Sequence, residues 1–267
     1  MSSSASSDIK VVVRPSVERG HAEHPGFLRT FHTWSFASYL DSKFTQFESL
    51  RVLNEDRVTA HQGFGTHGHK EFEIFSYIVS GELQHRDSMG NVEVMKRGDI
   101  QSTSAGTGIT HSEMTHGDNE VHFLQMWVQP SQRGLKPAYY TRHFTDAEKR
   151  DTLLRVVAPA GSDGVSSERE TSGPTPVNSP VTVWATILSQ GKAVTHRVPK
   201  PSAKVYVHVI QTSGYNTGPA SGATVEVNGT QLREGDGAFV YATKAGDELV
   251  INNVGASDAE FLVFDVE

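Results

Sequence analysis

The chain contains no cysteine, which excludes disulfides, thiolate metal sites and cysteine nucleophiles, and leaves nitrogen and oxygen as the only ligands for a metal. Long apolar runs are also missing. Runs such as "IKVVV" fall far short of the roughly 18 residues a membrane helix needs, so no membrane association is expected. Positive charge is sparse and scattered, with 24 Lys and Arg against 31 Asp and Glu for a net charge of -7. No basic cluster is available to track a phosphate backbone, and direct nucleic-acid binding is not expected. The opening "MSSSASSDIK" lacks the basic and apolar regions of a secretory signal. Residues 1–11 therefore read as a disordered polar lead-in, and an intracellular, cytoplasmic protein is expected.

What is present is strand signal. Over 267 residues with 36% hydrophobic side chains, β-branched and aromatic runs recur between turns: "FEIFSYIVSG", "VHFLQMWVQ", "VTVWATIL", "AKVYVHVIQ", "TVEVNG" and "FLVFDVE". The expected fold class is all-β with few short helices. The one good helix start is a possible capping box, "TDAE" at Thr145 to Glu148. From Ala158 to Pro180 the chain is dense in Gly, Ser and Pro, which predicts a linker or long loop between a first domain at 12–157 and a second at 181–267.

The halves share landmarks in the same order: Ser80-Gly81 with Ser213-Gly214, "VEV" at 92–94 with 225–227, and Gly98-Asp99 with Gly235-Asp236. Two antiparallel sandwiches or small jelly-roll barrels are the natural reading. Chemically the halves differ, because 11 of the 13 histidines lie at or before His143. The offsets of His67 and His69 from Gly81, applied to Gly214, fall on Lys200 and Ser202, so the second half lacks a ligand pair there.

In "GTHGHKEFE", His67 and His69 stand two residues apart, and a strand would place both on one face. Two imidazoles aimed at one point are costly to bury without a partner. Glu71 and Glu73 continue that parity, and a carboxylate on that face could be a third ligand or a charge partner. In "STSAGTGITHSEMTHG", His111 and Glu113 repeat the spacing. Were the two strands adjacent and antiparallel, three imidazoles and one carboxylate would converge, a set suited to iron(II), manganese, nickel, cobalt, copper or zinc. Gly63, Gly65, Gly68, Gly106 and Gly108 flank these pairs and permit close backbone approach, although ordinary turns account for each singly as well.

Other residues carry less weight. His32 and Trp34 in "FHTWSF" read as packing, and His122 as a satisfied core or pocket-lining histidine. His85 and His116 fall in expected turns and read as exposed. Tyr139-Tyr140 read as packing at the exit of the first domain, and Asp87 and Asp99 as turn caps.

The blocks "RTFHTWSFASYLD", "GFGTHGHKEFEIFSYIVSGELQHRDSMG" and "SAGTGITHSEMTHG" resemble the signatures of the pirin family, within the cupin superfamily. The order of elements matches from about residue 12 to the C-terminus, more closely over the first 145 residues. The resemblance implies a bicupin of two jelly-roll barrels with one non-haem metal, in the N-terminal barrel only. Carried over by position, the family's ligands are His67, His69, His111 and Glu113. The general cupin motif takes its glutamate from the first block, Glu73 here, and has proline where this chain has Ser104; the pirin pattern uses Glu113 and leaves Glu73 a supporting role. The implied activity is that of a quercetin 2,3-dioxygenase, opening the heterocycle of a flavonol-like substrate with dioxygen and releasing carbon monoxide. Glu113 would be the general base, with one divalent transition metal, iron(II) foremost, and copper, nickel, cobalt, manganese or zinc as alternatives. Some eukaryotic members are nuclear modulators of transcription factors. The alternative implied is thus a metal-containing regulator or redox sensor acting through a protein partner without turnover. A monomer is expected.

Overall fold

A computed structural model describes residues 9–201, 204–242 and 244–267. The first eight residues of the expected lead-in, and Ser202, lie outside the described residues. The chain divides into two compact units, one formed by Arg19–Glu148 with Arg155–Thr182, the other by the chain up to Glu18 with Lys149–Leu154 and Val183–Glu267. Both are almost entirely β, and among the described residues no helix is long and apolar enough to cross a membrane.

The first strand is β1 (Lys10–Arg14). Then follow β2 (Gly20–His24), β3 (Leu28–His32), β4 (Leu50–Val58), β5 (Gly63–His69), β6 (Glu73–Ser80), β7 (Glu82–Asp87), β8 (Val92–Lys96), β9 (Asp99–Ser104), β10 (Ile109–Thr115), β11 (Val121–Val128), β12 (Ala138–His143), β13 (Leu154–Pro159) and β14 (Thr175–Val177). The remainder are β15 (Thr182–Leu188), β16 (Ala193–Arg197), β17 (Lys204–Val209), β18 (Thr224–Val227), β19 (Thr230–Arg233), β20 (Gly237–Tyr241), β21 (Glu248–Asn253) and β22 (Ala259–Val266).

In the N-terminal unit a sheet of order β12-β9-β6-β11-β4-β3-β2 accompanies a four-stranded sheet of order β5-β10-β7-β8. Val58, Ile78, Leu83, Met95, Val121 and Phe123 form a buried cluster drawn from both sheets. They come from matching strand ends, so apolar side chains fill one end of the barrel and the polar ones collect toward the other. In the C-terminal unit β20-β17-β22-β15 and β16-β21-β18-β19 repeat the orders β9-β6-β11-β4 and β5-β10-β7-β8. The chain is a bicupin. The second interior is apolar along its strands, with Val194, Val205, Val207, Val225, Leu249, Ile251 and Val263 in one cluster.

Several expectations change. Lys10 and Val11, placed in the lead-in, belong to β1, which pairs with β20 from Lys10↔Tyr241 to Arg14↔Gly237. The 158–180 segment, expected as a linker or long loop, is largely loop but belongs to the N-terminal unit: β14 pairs in parallel with β13, and Thr175, Val177 and Ser179 are buried. Three of its carbonyls are satisfied by the buried Arg142, whose guanidinium donates to those of Arg169 and Ser166, each at 2.9 Å, and of Glu168 at 3.1 Å. The "VEV" landmark does not correspond, since 92–94 lies on the second arm of its hairpin and 225–227 on the first. The strand equivalent to β5 is β16, so the offsets to Lys200 and Ser202 overshoot. Unequal loop lengths cause both errors. The capping box forms as expected: Thr145 N–H donates to Glu148 Oε2 at 2.8 Å and Glu148 N–H to Thr145 Oγ1 at 3.2 Å, opening the short helix α1 (Asp146–Lys149).

Candidate metal centre

The site grows from β5 and β10, which pair antiparallel with His111 opposite His67 and Ile109 opposite His69. Paired residues share a face, so the three imidazoles meet. A β-bulge between His111 and Glu113 shifts the register, and Glu113 pairs with Phe64. A Cβ on Gly63 would lie 2.3 Å from the Glu113 carbonyl oxygen, and one on Gly106 (φ 45°) 2.0 Å from that of Leu135, so close approach requires glycine at both; Gly65 stands in open space.

The rings of His67, His69 and His111 are 4.6 to 4.8 Å apart between centroids, and the Nε2 atoms of His67 and His111 are 3.2 Å apart. His67 Nδ1 lies 2.8 Å from the Gly65 carbonyl, to which it donates, leaving a lone pair on Nε2. Burial, reinforced by the neighbouring imidazoles, lowers the pKa of His111 to about 3 and that of His69 to about 4. Both rings are neutral at pH 7. His111 Nδ1 is buried with no hydrogen-bond partner among the described residues. Converging neutral imidazoles with an unpaired buried nitrogen fit a divalent transition metal and have no evident purpose in a dry core.

Glu113 is buried, and its Oε2 accepts from Gln125 Nε2 at 2.9 Å. Ser76 Oγ lies 3.3 Å from Glu113 Oε1 and 3.2 Å from Gln125 Oε1, and its single proton serves one of them. The structure groups His67, His69 and His111 within metal-binding reach of one another, and groups Glu113 with His111 and His85.

Glu73 stands apart. Its Oε1 accepts from Ser104 Oγ at 2.6 Å and its Oε2 from the backbone N–H and Nδ2 of Asn178 at 3.0 and 3.2 Å. The serine that replaces the cupin proline thus helps to commit Glu73 elsewhere. Glu71 does not continue the His67–His69 parity: it has φ 58° between β5 and β6, which belong to different sheets, and its carboxylate accepts from Gly134 N–H.

His85, expected in an exposed turn, is fully buried, because "HRD" is the end of β7, hydrogen-bonded between β10 and β8. Its Nε2 bonds Asp87 Oδ2 at 3.1 Å, its ring stacks on Tyr139 at 4.8 Å, and His111 lies 5.2 Å away. Asp87 caps its turn as expected, accepting from Met89 and Asn91 N–H, and also holds His85. Asp99 likewise caps Lys96 N–H at 2.8 Å. His122 is a satisfied core residue, 3.0 Å from Glu55; His32 is buried 2.9 Å from Asn54 Oδ1, and Trp34 is buried. His116 is exposed.

Asp56, Gln125 and Trp127 escape motif-based reading. Alternation along "VHFLQMWV" nevertheless separates His122, Leu124 and Met126 from Phe123, Gln125 and Trp127, and the second set faces the barrel interior. Trp127 meets His69 edge-on at 4.8 Å and 82°. Phe36 and Phe72 flank it at 5.5 and 5.4 Å. Beside His69 opens a hollow of about 460 Å³ whose lining includes Lys70, Ser88, Ile109 and Thr110. Burial raises the pKa of Asp56 to about 7, with the Thr30 hydroxyl donating to it and Glu113 adding to the rise.

Residues 13–128 match the family model described as Pirin, and residues 164–266 that of a quercetinase C-terminal cupin domain. The chain is 35% identical over 257 residues to the quercetin 2,3-dioxygenase of Escherichia coli K12, covering 96% of this chain and 98% of that one. It is 31% identical over 252 residues to a pirin-like protein of Caulobacter vibrioides, covering 94% and 97%. Among solved structures, bacterial pirin YhhW from Escherichia coli in complex with nickel(II) superposes with a TM-score of 0.81 at 32% identity, covering 96% of this chain and 99% of that one.

Proposed function

The chain belongs to the pirin family of bicupins, and on that footing we propose that it is a metal-dependent dioxygenase of the quercetin 2,3-dioxygenase type. His67, His69, His111 and Glu113 are the proposed ligands. One divalent ion held there would supply Lewis acidity toward the 3-hydroxyl of a flavonol and a centre for reaction with dioxygen. Iron(II) is the first candidate, and the nickel(II) complex of the E. coli pirin makes nickel the next.

The observation that carries this reading is the convergence of three imidazoles beside a buried carboxylate. The neutral rings of His69 and His111 offer lone pairs without first losing a proton. Glu113 is the proposed general base for the 3-hydroxyl proton. Gln125 donates to one of its oxygens and the Ser76 hydroxyl lies within reach of the other, which keeps the carboxylate oriented. The aromatic wall of Trp127, Phe36 and Phe72 excludes water on one side and suits a flat substrate.

The test pairs elemental analysis of the purified protein with a flavonol assay that follows oxygen uptake and carbon monoxide release. One oxygen consumed and one carbon monoxide released per flavonol is expected. A metal-loaded protein that takes up no oxygen across a flavonol panel would point instead to a binding or regulatory role.

A further inference from the structure

Trp127 is the residue whose chemistry is least explained by packing. It stands on the inward face of β11, one residue from its end, with its indole edge-on to His69 and flanked by Phe36 and Phe72. All four side chains are partly exposed, so the wall they form borders the mouth of the barrel. The Trp127 Nε1–H is nevertheless shielded from solvent and has no hydrogen-bond partner among the described residues. An unpaired buried donor is unfavourable, and phenylalanine would line the wall without one. A donor kept beside the imidazole cluster is accounted for by an acceptor that arrives with the substrate.

We propose that Trp127 is a specificity-determining residue, its ring supporting the flat face of the substrate and its Nε1–H donating to a carbonyl oxygen next to the ionising hydroxyl. The assignment rests on the flavonol reading above. In a flavonol the 3-hydroxyl and 4-carbonyl oxygens are neighbours on one ring. A molecule that brings the hydroxyl to the histidines therefore brings the carbonyl to the residue packed against His69. Simple phenols and catechols lack that acceptor. They gain the ring contact alone, which makes the preferred class planar α-hydroxy ketones of the aromatic type.

The experiment uses full-length protein loaded with zinc and kept free of oxygen, so that no flavonol is consumed during the titration. Quercetin, and 2-naphthol as a flat phenol without a carbonyl, are titrated calorimetrically into wild type, W127F and W127A. W127F is expected to weaken quercetin about tenfold and leave 2-naphthol unchanged, W127A to weaken both, and neither to change zinc content. In the iron-loaded enzyme W127F should raise KM more than it lowers kcat. Equal quercetin affinity in all three proteins, or loss of zinc from W127F, overturns the assignment. Trp127-dependent quercetin binding without oxygen uptake by the iron-loaded protein would leave it standing and remove the dioxygenase reading. Unaltered KM in W127F with normal oxygen uptake would do the reverse.

Discussion

Asp56→Asn isolates the cost of a carboxyl buried in the N-terminal barrel. Asp56 lies on β4 in a fully buried position, and burial raises its pKa from 3.8 to about 7. Between those values the folded protein holds a proton that the unfolded chain has released. Stability is therefore full below pH 3.8 and is lost as pH rises through about 7. The whole rise corresponds to about 4 kcal/mol at roughly 1.4 kcal/mol per pH unit, of which about 3 falls between pH 5 and pH 8. Asparagine has the shape of the protonated carboxyl, still accepts from the Thr30 hydroxyl, and does not titrate. The advantage of D56N over wild type should grow by about 3 kcal/mol from pH 5 to pH 8. Urea unfolding of the metal-free proteins at both pH values, followed by tryptophan fluorescence, measures it. An advantage that stays flat or shrinks with rising pH would show that Asp56 is ionised in the folded protein and that its burial is compensated by charge.

His67→Ala and His111→Ala should each remove metal from the purified protein and abolish flavonol depletion, as read by elemental analysis alongside the oxygen assay; depletion persisting without metal would refute the proposed chemistry. Glu73→Ala strands Ser104 and Asn178 and should cost about 1–3 kcal/mol in urea unfolding, yet metal content should stay at the wild-type level, which separates Glu73 from Glu113. Arg142→Met releases the carbonyls of Ser166, Glu168 and Arg169. Limited proteolysis should then cut near residues 161–173 faster than in wild type, and equal rates would mean that the segment is held by β14 alone.

Much of this centre is local in origin, and local features are legible. Strand alternation puts His67 with His69 and His111 with Glu113, and the pairing of β5 with β10 follows from the two patterns together. Glu73 shows the limit. It stands at the position the general cupin motif assigns to a ligand, and Ser104 and Asn178, 31 and 105 residues away in sequence, are what hold it elsewhere. His85 departs from its expected exposed turn for a similar reason: "HRDSMG" carries turn composition, but cross-strand pairing extends β7 through Asp87. In the polar 158–180 segment composition predicts a loop or linker, but it does not reveal that a buried arginine on β12 binds its carbonyls.

The sequence alone determined the all-β class, the duplicated plan, the restriction of the histidine cluster to one half and the two same-face pairs His67 with His69 and His111 with Glu113, because alternation and residue type act over neighbouring positions; the proposal of Glu113 over Glu73 as a ligand came from the family resemblance. Only the tertiary structure decided that β1 joins the C-terminal unit, that Gln125 and Ser76 hold Glu113, and that Trp127 stands against His69. Those facts depend on which strands lie side by side and how long the loops between them are. Burial and hydrogen bonding are set by neighbours in space, and a residue's neighbours in sequence do not name them.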